Sequence, residues 1–301
     1  MFSTRVDRLI SLYLSRPLRR AGWGRPGSWL PILMYHSISS DSEKGVGPYY
    51  RLVTDPQRFA EQMQWLAELG YIGLALEDAL PTLVRGSVNG RRPVVITSDD
   101  GFRDFHVAAW PVLCRYGFTA TVYLPTGFVS RERKSFRGRQ CLTWDEVREL
   151  RRHGVRFGSH TVNHPKLYEL SWSQIESEAR ISKERIQQEL QEEVTSFAYP
   201  YAFPQEDSAF RRTITGLLRE QGYRSCVTTV IGRSQATDDP LFLKRLPINS
   251  CDDRTLFEAK LEGAYDWLGP AQYAYRHIKR STTLRRGRSH AAQRQMEANA
   301  Q

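Results

Sequence analysis

The chain has 301 residues, a net charge of +10, and 25% charged and 11% aromatic residues, which suits one sizeable globular domain rather than a disordered or fibrous protein. Its cations crowd the ends, as Arg5, Arg8, Arg16, Arg19, Arg20 and Arg25 and again as Lys279, Arg280, Arg285, Arg286, Arg288 and Arg294. No zinc-finger spacing or Gly-aromatic RNA signature accompanies them, so nucleic acid is not expected as a partner. Four cysteines without a Cys-x-x-Cys exclude a disulfide framework, and the absence of a secretory core or a run of ~20 apolar residues leads us to expect a cytoplasmic protein.

Three segments are expected: a basic amphipathic N-terminal stretch (1–30), a catalytic domain (31–270) and a basic, disordered tail (271–301). In residues 5–20, Val6, Leu9, Ile10, Tyr13 and Leu14 recur at helical spacing between arginines. That pattern fits a helix packed on the domain or one lying peripherally on anionic lipid. Pro17 should break it near its end. Ile32–Tyr35 reads as a short strand. Phe59, Met63, Leu66 and Leu69 mark a helix closed by Gly70. Val94–Thr97 is a buried strand, Val107–Tyr116 a helix stopped by Gly117, and Thr119–Leu124 a β-branched strand. Thr143 and Glu146 form a capping box for helix Trp144–His153, before strand Val155–Gly158. A long charged helix over Ser173–Glu193 should open with a second capping box, Ser173 with Glu176. Strand Ser196–Ala198, helix Phe210–Gln221, strands Tyr223–Val227 and Leu241–Leu246, and helix Arg254–Leu268 complete the series. Strands alternating with helices indicate a parallel sheet, open or closed into a barrel.

Two segments lie at strand ends, where ligands gather in such folds. Thr97-Ser98-Asp99-Asp100-Gly101 offers adjacent carboxylates; on an extended backbone they point apart and can take different tasks. Ser159-His160-Thr161-Val162-Asn163-His164 offers two histidines four apart, which Pro165 keeps in a turn rather than a helix interior. Taken singly, the first could be a capping turn and the second a pair of surface histidines. Together they can supply three ligands to a divalent metal and leave one carboxylate as a general base, the equipment of metal-assisted hydrolysis.

Over residues 31–250 these motifs resemble the polysaccharide deacetylase family (the NodB-homology domain, carbohydrate esterase family 4). The resemblance implies a distorted (β/α) barrel of seven strands. It implies Asp99 as base and Asp100, His160 and His164 as ligands of a divalent ion, zinc above all. It implies removal of an acetyl group from an acetylated glycan or glycolipid precursor in exopolysaccharide or envelope metabolism. Phe197-Ala198-Tyr199-Pro200-Tyr201 is similar to the family's Arg-x-Pro-Tyr strand end, which makes the Tyr201 N–H an oxyanion donor. The chain departs from the pattern twice. Ala198 stands where many members place an arginine, so Arg245 from Leu243-Lys244-Arg245-Leu246-Pro247 is the expected substitute partner of Asp99. No histidine falls within Leu243–Asn249, so His36, in Leu33-Met34-Tyr35-His36-Ser37, is the expected general acid. An O-acetyl esterase would use the same groups, and a metal-retaining, non-catalytic glycan-binding protein would not need the spare carboxylate. Tyr49, Tyr50, Trp110, Tyr168 and Trp172 are candidates for stacking on sugar rings. The sequence leaves oligomeric state unassigned.

Overall fold

Eight strands organise the computed structural model, which describes residues 5–22, 28–85 and 87–278. They are β1 (Ile32–Tyr35), β2 (Tyr71–Leu74), β3 (Arg92–Ser98), β4 (Thr121–Leu124), β5 (Arg156–Ser159), β6 (Ser196–Ala198), β7 (Ser225–Ile231) and β8 (Leu243–Pro247). Seven of them close a parallel barrel: β3, β4, β5, β6, β7 and β8 pair in sequence, and β1 joins β8 to β3. The barrel is distorted where β2 intrudes. It pairs with the first half of β3, from Tyr71↔Arg92 to Leu74↔Val95, while β4 pairs only with Thr97 and Ser98. Both faces of these strands are covered, so β1 and β4 are buried throughout and read as continuous apolar runs.

Helices on the outside are placed by local signals. Asp55 caps α2 (Pro56–Glu68) by accepting from Gln57 N at 2.9 Å, with Pro56 at the first turn. Gly70, at φ 75°, turns the chain into β2. Thr143 and Glu146 form the expected capping box of α4 (Trp144–Arg152). The box of α5 (Trp172–Leu190) lies two residues earlier than expected, between Ser171 and Gln174. Ser173 is already helical there, and Trp172 packs on Phe210 of α6 (Ser208–Glu220) at 5.3 Å, fixing the earlier start.

Prolines at 17 and 111 do not break their helices. Each follows a π turn, Ser11–Ser15 in α1 (Val6–Arg20) and Phe105–Ala109 before α3 (Trp110–Arg115). The wider turn moves the hydrogen bond to the carbonyl five residues back, as Arg16 N to Ser11 O, and so relieves the clash that a proline ring makes with an α-helical carbonyl.

α1 packs on the domain with its arginines inward. Arg8 pairs with Asp253 at 2.7 Å, Arg16 with Glu262 at 2.7 Å and Arg19 with Asp266 at 3.1 Å. Val6, Leu9, Tyr13 and Leu14 face outward. The final helices also depart from expectation. α7 (Arg254–Leu261) stops short of Leu268, Gly263 follows at φ 89°, and a separate helix runs over 268–278. Residues 271–278 therefore belong to the folded body; 279–301, expected to be disordered, lie outside the described residues. Among the described residues no helix is long and apolar enough to cross a membrane.

Candidate functional site

A cavity of about 360 Å³ opens at the C-terminal ends of the barrel strands. Met34 and His36 reach it from the end of β1, Asp99 and Asp100 from β3, His160 and His164 from β5, Tyr199 and Tyr201 from β6, and Pro247 from β8. The sequence distributes these residues over more than 200 positions, and closure of the barrel brings them to one rim.

The local backbone is held in unusual conformations there. Asp100, Arg137, Thr161, His164 and Tyr201 all have positive φ, between 50° and 72°, and are five of the seven such non-glycine residues in the described chain. For a β-branched residue such as Thr161 this is a strained state that surrounding contacts must enforce. Here Ser159 Oγ accepts from Thr161 N at 3.2 Å, Thr161 Oγ1 accepts from His164 N at 3.0 Å, and Glu178 of α5 accepts from Val162 N at 2.8 Å and Asn163 N at 2.9 Å. The His160–His164 turn is thus pinned from below and from the side. The turn at Asp100 has a second effect. Neighbouring side chains on an extended strand would point apart, but at φ 72° the chain reverses, and both aspartates line the same cavity. Gly101 follows at φ 59°, where a Cβ would meet Leu124 Cδ2 at 2.9 Å.

Asp100, His160 and His164 are buried, and their ligand atoms lie within 4.8 Å of one another. Asp100 Oδ1 is 3.2 Å from His164 Nε2 and 3.7 Å from His160 Nε2, and it has no hydrogen-bond partner among the described residues. His160 Nδ1 lies 2.8 Å from the Ala198 carbonyl, which can only accept, so Nδ1 carries the proton and Nε2 offers its lone pair toward Asp100. Burial, with the neighbouring His164, pushes the His160 imidazole down to about 4, so it is neutral at neutral pH. One carboxylate with an orphaned oxygen and two imidazoles facing it fit a divalent ion.

Asp99 has different partners. Burial by itself would raise its carboxyl, but the Arg245 guanidinium outweighs this by charge and by hydrogen bonds, with His160 and His36 adding to it, and holds Asp99 well below the usual carboxylate range. Arg245 is fully buried and donates from Nη1 to Oδ1 and from Nη2 to Oδ2, both at 2.7 Å. It reaches Asp99 from β8, with Nε on the Thr228 carbonyl at 2.9 Å and Nη1 shared with Thr97 Oγ1 at 3.1 Å. His36 Nε2 lies 3.9 Å from Asp99 Oδ2. Ser98 Oγ donates to the His36 carbonyl at 3.2 Å and ties the two strand ends together.

Several lining residues carry no sequence signal of their own. Arg51, Arg137, Gln272 and Arg276 enter from loops and from the 268–278 helix, and only the folded chain shows their place. Of the aromatics considered for sugar stacking, Tyr49 and Tyr50 line the cavity with Tyr201, which is 39% exposed. Trp110 instead stacks near His153, Trp172 packs on Phe210, and Tyr168 is exposed away from the cavity.

Comparison with known proteins agrees with this architecture. The sequence profile described as Polysaccharide deacetylase matches residues 86–225. YxkH of Bacillus subtilis, named among the polysaccharide deacetylases, is 30% identical over 233 residues, covering 77% of this chain and 76% of its own. The poly-β-1,6-N-acetyl-D-glucosamine N-deacetylase of Staphylococcus aureus is 26% identical over 50% of this chain and 54% of its own length. Among solved structures, the deacetylase PplD of Streptococcus pyogenes, in complex with acetate, superposes with a TM-score of 0.67 at 27% identity over 78% of this chain and 99% of its own. IcaB of Ammonifex degensii shares the fold, with a TM-score of 0.63 at 20% identity over 78% of this chain and 97% of its own. The chain belongs to the polysaccharide deacetylase family and is a hydrolase of carbon–nitrogen bonds other than peptide bonds.

Proposed function

We propose that the protein removes N-acetyl groups from an amino sugar within a polysaccharide or glycolipid precursor, using a zinc ion held by Asp100, His160 and His164. The observation that carries this reading is the division of labour between adjacent aspartates. Asp100 faces two imidazoles, while Asp99 is held apart by a buried arginine and is left to deal with protons. A purely structural metal site has no use for the second carboxylate.

When bound, the ion polarises the acetamide carbonyl and lowers the pKa of water toward about 7. The chain's own groups do the rest. Asp99 stays ionised through the working pH range and accepts the proton of the attacking water. Arg245 fixes both carboxylate oxygens, so the accepting lone pair is oriented before substrate arrives. The same guanidinium makes Asp99 a weak resting place for a proton. His36, 3.9 Å from Oδ2, is the group placed to deliver a proton to the departing amine. The Tyr201 N–H serves as a fixed donor to the developing oxyanion, a contribution of about 3–4 kcal/mol when such a donor is aligned. Tyr49, Tyr50 and Tyr201 give the sugar ring flat apolar faces at the cavity mouth.

The relatives that act on poly-β-1,6-N-acetylglucosamine make its oligomers the first substrates to try. The test is acetate release by the zinc-reconstituted full chain, with O-acetylated sugars in parallel. Faster release from O-acetyl than from N-acetyl groups would turn the reading into an esterase.

A further inference from the structure

Three cations line the cavity but take no part in the chemistry above: Arg51, Arg137 and Arg276. They come from separate elements. Arg51 follows the turn Pro48–Tyr50, Arg137 sits at the tip of the hairpin Ser135–Phe136/Arg139–Gln140, and Arg276 lies on the 268–278 helix. Among the described residues none of the three has a carboxylate within 4.0 Å. Their neighbours in sequence are treated differently: Arg139 pairs with Asp41 at 2.5 Å, and Arg133 with Glu146. The cavity's own two carboxylates are committed elsewhere, Asp99 to Arg245 and Asp100 to the candidate metal triad.

Uncharged partners hold the three arginines in place. Arg51 rests on the Val46 carbonyl at 3.3 Å and Cys251 Sγ at 3.5 Å, and Arg276 donates to the Phe203 carbonyl. Arg137 sits in a left-handed turn, φ 50°, with its guanidinium carbon 5.0 Å from the Phe136 ring centre and 5.1 Å from that of Tyr201. Those two rings also flank His164, at 5.2 and 4.8 Å. A cation is therefore fixed one ring away from the metal-binding triad. Each guanidinium has five N–H donors, and these contacts leave several of them unused. A neutral acetamido sugar would satisfy some donors but none of the charge.

We propose that the substrate carries a phosphate or phosphodiester group beside its acetamido sugar, and that Arg51, Arg137 and Arg276 form the subsite that recognises it. The inference rests on the deacetylase reading for the position of the sugar. Phosphate is favoured over carboxylate by the number of forks. One guanidinium satisfies both oxygens of a carboxylate, whereas several guanidiniums lining one cavity match the larger set of acceptor oxygens on phosphorus.

The test is calorimetric binding to the full-length, zinc-reconstituted chain. The ligands are N-acetylglucosamine, its 1- and 6-phosphates, and glucuronic acid, at two salt concentrations. One phosphorylated sugar should bind roughly tenfold or more tightly than the neutral sugar, from charge-assisted hydrogen bonds alone. The gap should narrow in high salt. Arg137→Gln and Arg276→Gln should each remove most of the preference, with Arg137→Lys restoring part, while melting temperature and zinc content stay at the wild-type values. Equal affinity for phosphorylated and neutral sugars overturns the proposal. So does a preference for glucuronate, or a phosphate preference that survives the arginine substitutions. An arginine-dependent phosphate preference without acetate release from any acetylated sugar would uphold the subsite and defeat the deacetylase reading instead.

Discussion

Replacing Arg245 by methionine keeps the volume of the side chain and removes its charge. In the folded protein the guanidinium is fully buried, and Asp99 is only 3% exposed at its side chain. Both contacts between them are 2.7 Å long. Breaking one partner of such a pair leaves a buried carboxylate uncompensated, which costs about 3–5 kcal/mol. For a domain of this size each kcal/mol moves the melting temperature by about 2–4 °C, so Arg245→Met should melt about 6–20 °C lower at pH 7. The dependence on pH follows from the direction of the Asp99 shift. In the wild type the carboxyl lies below its unfolded value of 3.8, so its contribution is present above that pH and is lost as the pH falls. Without Arg245, burial dominates and raises the folded value, so the variant loses stability as the pH rises through 4 and beyond. The gap between the two proteins should therefore be narrower near pH 3 than at pH 7. Adding Asp99→Asn to Arg245→Met should recover part of the loss, with the double-mutant cycle giving a coupling above about 1 kcal/mol. Turnover of Arg245→Met should fall roughly 100-fold, in line with loss of an oriented general base, with zinc content unchanged. Scanning calorimetry across pH measures the first effect and steady-state kinetics the second. Equal melting temperatures at pH 7, or a gap that does not change with pH, would refute the reasoning.

Further predictions follow from the other groups. Asp100→Asn and His164→Ala should each lower bound zinc, measured by elemental analysis after dialysis, by an order of magnitude or more in affinity, since each removes one of three ligands. His36→Ala should lower kcat about 100-fold without changing zinc content. The loss should be smaller on esters, whose alkoxide can leave unprotonated far more easily than the amide anion that nitrogen would become without a proton, and equal losses on both would argue against a proton-donor role. At the N-terminal helix, burial would raise the Glu262 carboxyl, but Arg16 and Arg20 hold it down to about 2, against 4.5 for an ordinary glutamate. Its contribution is present above about pH 4.5 and disappears between 4.5 and 2. Glu262→Gln should thus melt below the wild type at pH 7 and together with it near pH 2; a difference that persists at pH 2 would contradict the pairing.

The candidate site is legible in the sequence where its residues sit close together along the chain. Asp99-Asp100-Gly101 and His160 to His164 announce themselves by residue type and spacing, and each follows a β-branched or apolar run that marks a strand. Elements with strong local signals were equally legible, as with the Thr143–Glu146 capping box. Other features depend on the closed barrel. Strand β2 was missed because Tyr71-Ile72-Gly73-Leu74 is short and centred on a glycine, and glycine weakens strand propensity. Gly73 is required by packing, since a Cβ there would meet Phe118 at 2.7 Å and Ile96 at 2.8 Å. The continuity of α1 past Pro17 was hidden because a π turn has no sequence signature that distinguishes it from an α turn. The arginines around the cavity were invisible for a simpler reason: Arg51, Arg137 and Arg276 look like ordinary surface cations until the fold removes their counter-ions and places them around one space. The burial of Arg245 against Asp99 depends on two strands 146 residues apart in sequence meeting across the barrel.

The most direct test is acetate release from N-acetylated β-1,6-glucosamine oligomers and from their phosphorylated counterparts, comparing the zinc-loaded protein with its chelated form and with Asp99→Asn. A metal-dependent N-deacetylase should release one acetate for each new free amine, and both chelation and Asp99→Asn should reduce the rate by at least about 100-fold. Stoichiometric zinc binding with no acetate from any oligomer, or an Asp99→Asn protein as fast as the wild type, would contradict the assignment of Asp99 as the base in an N-deacetylase.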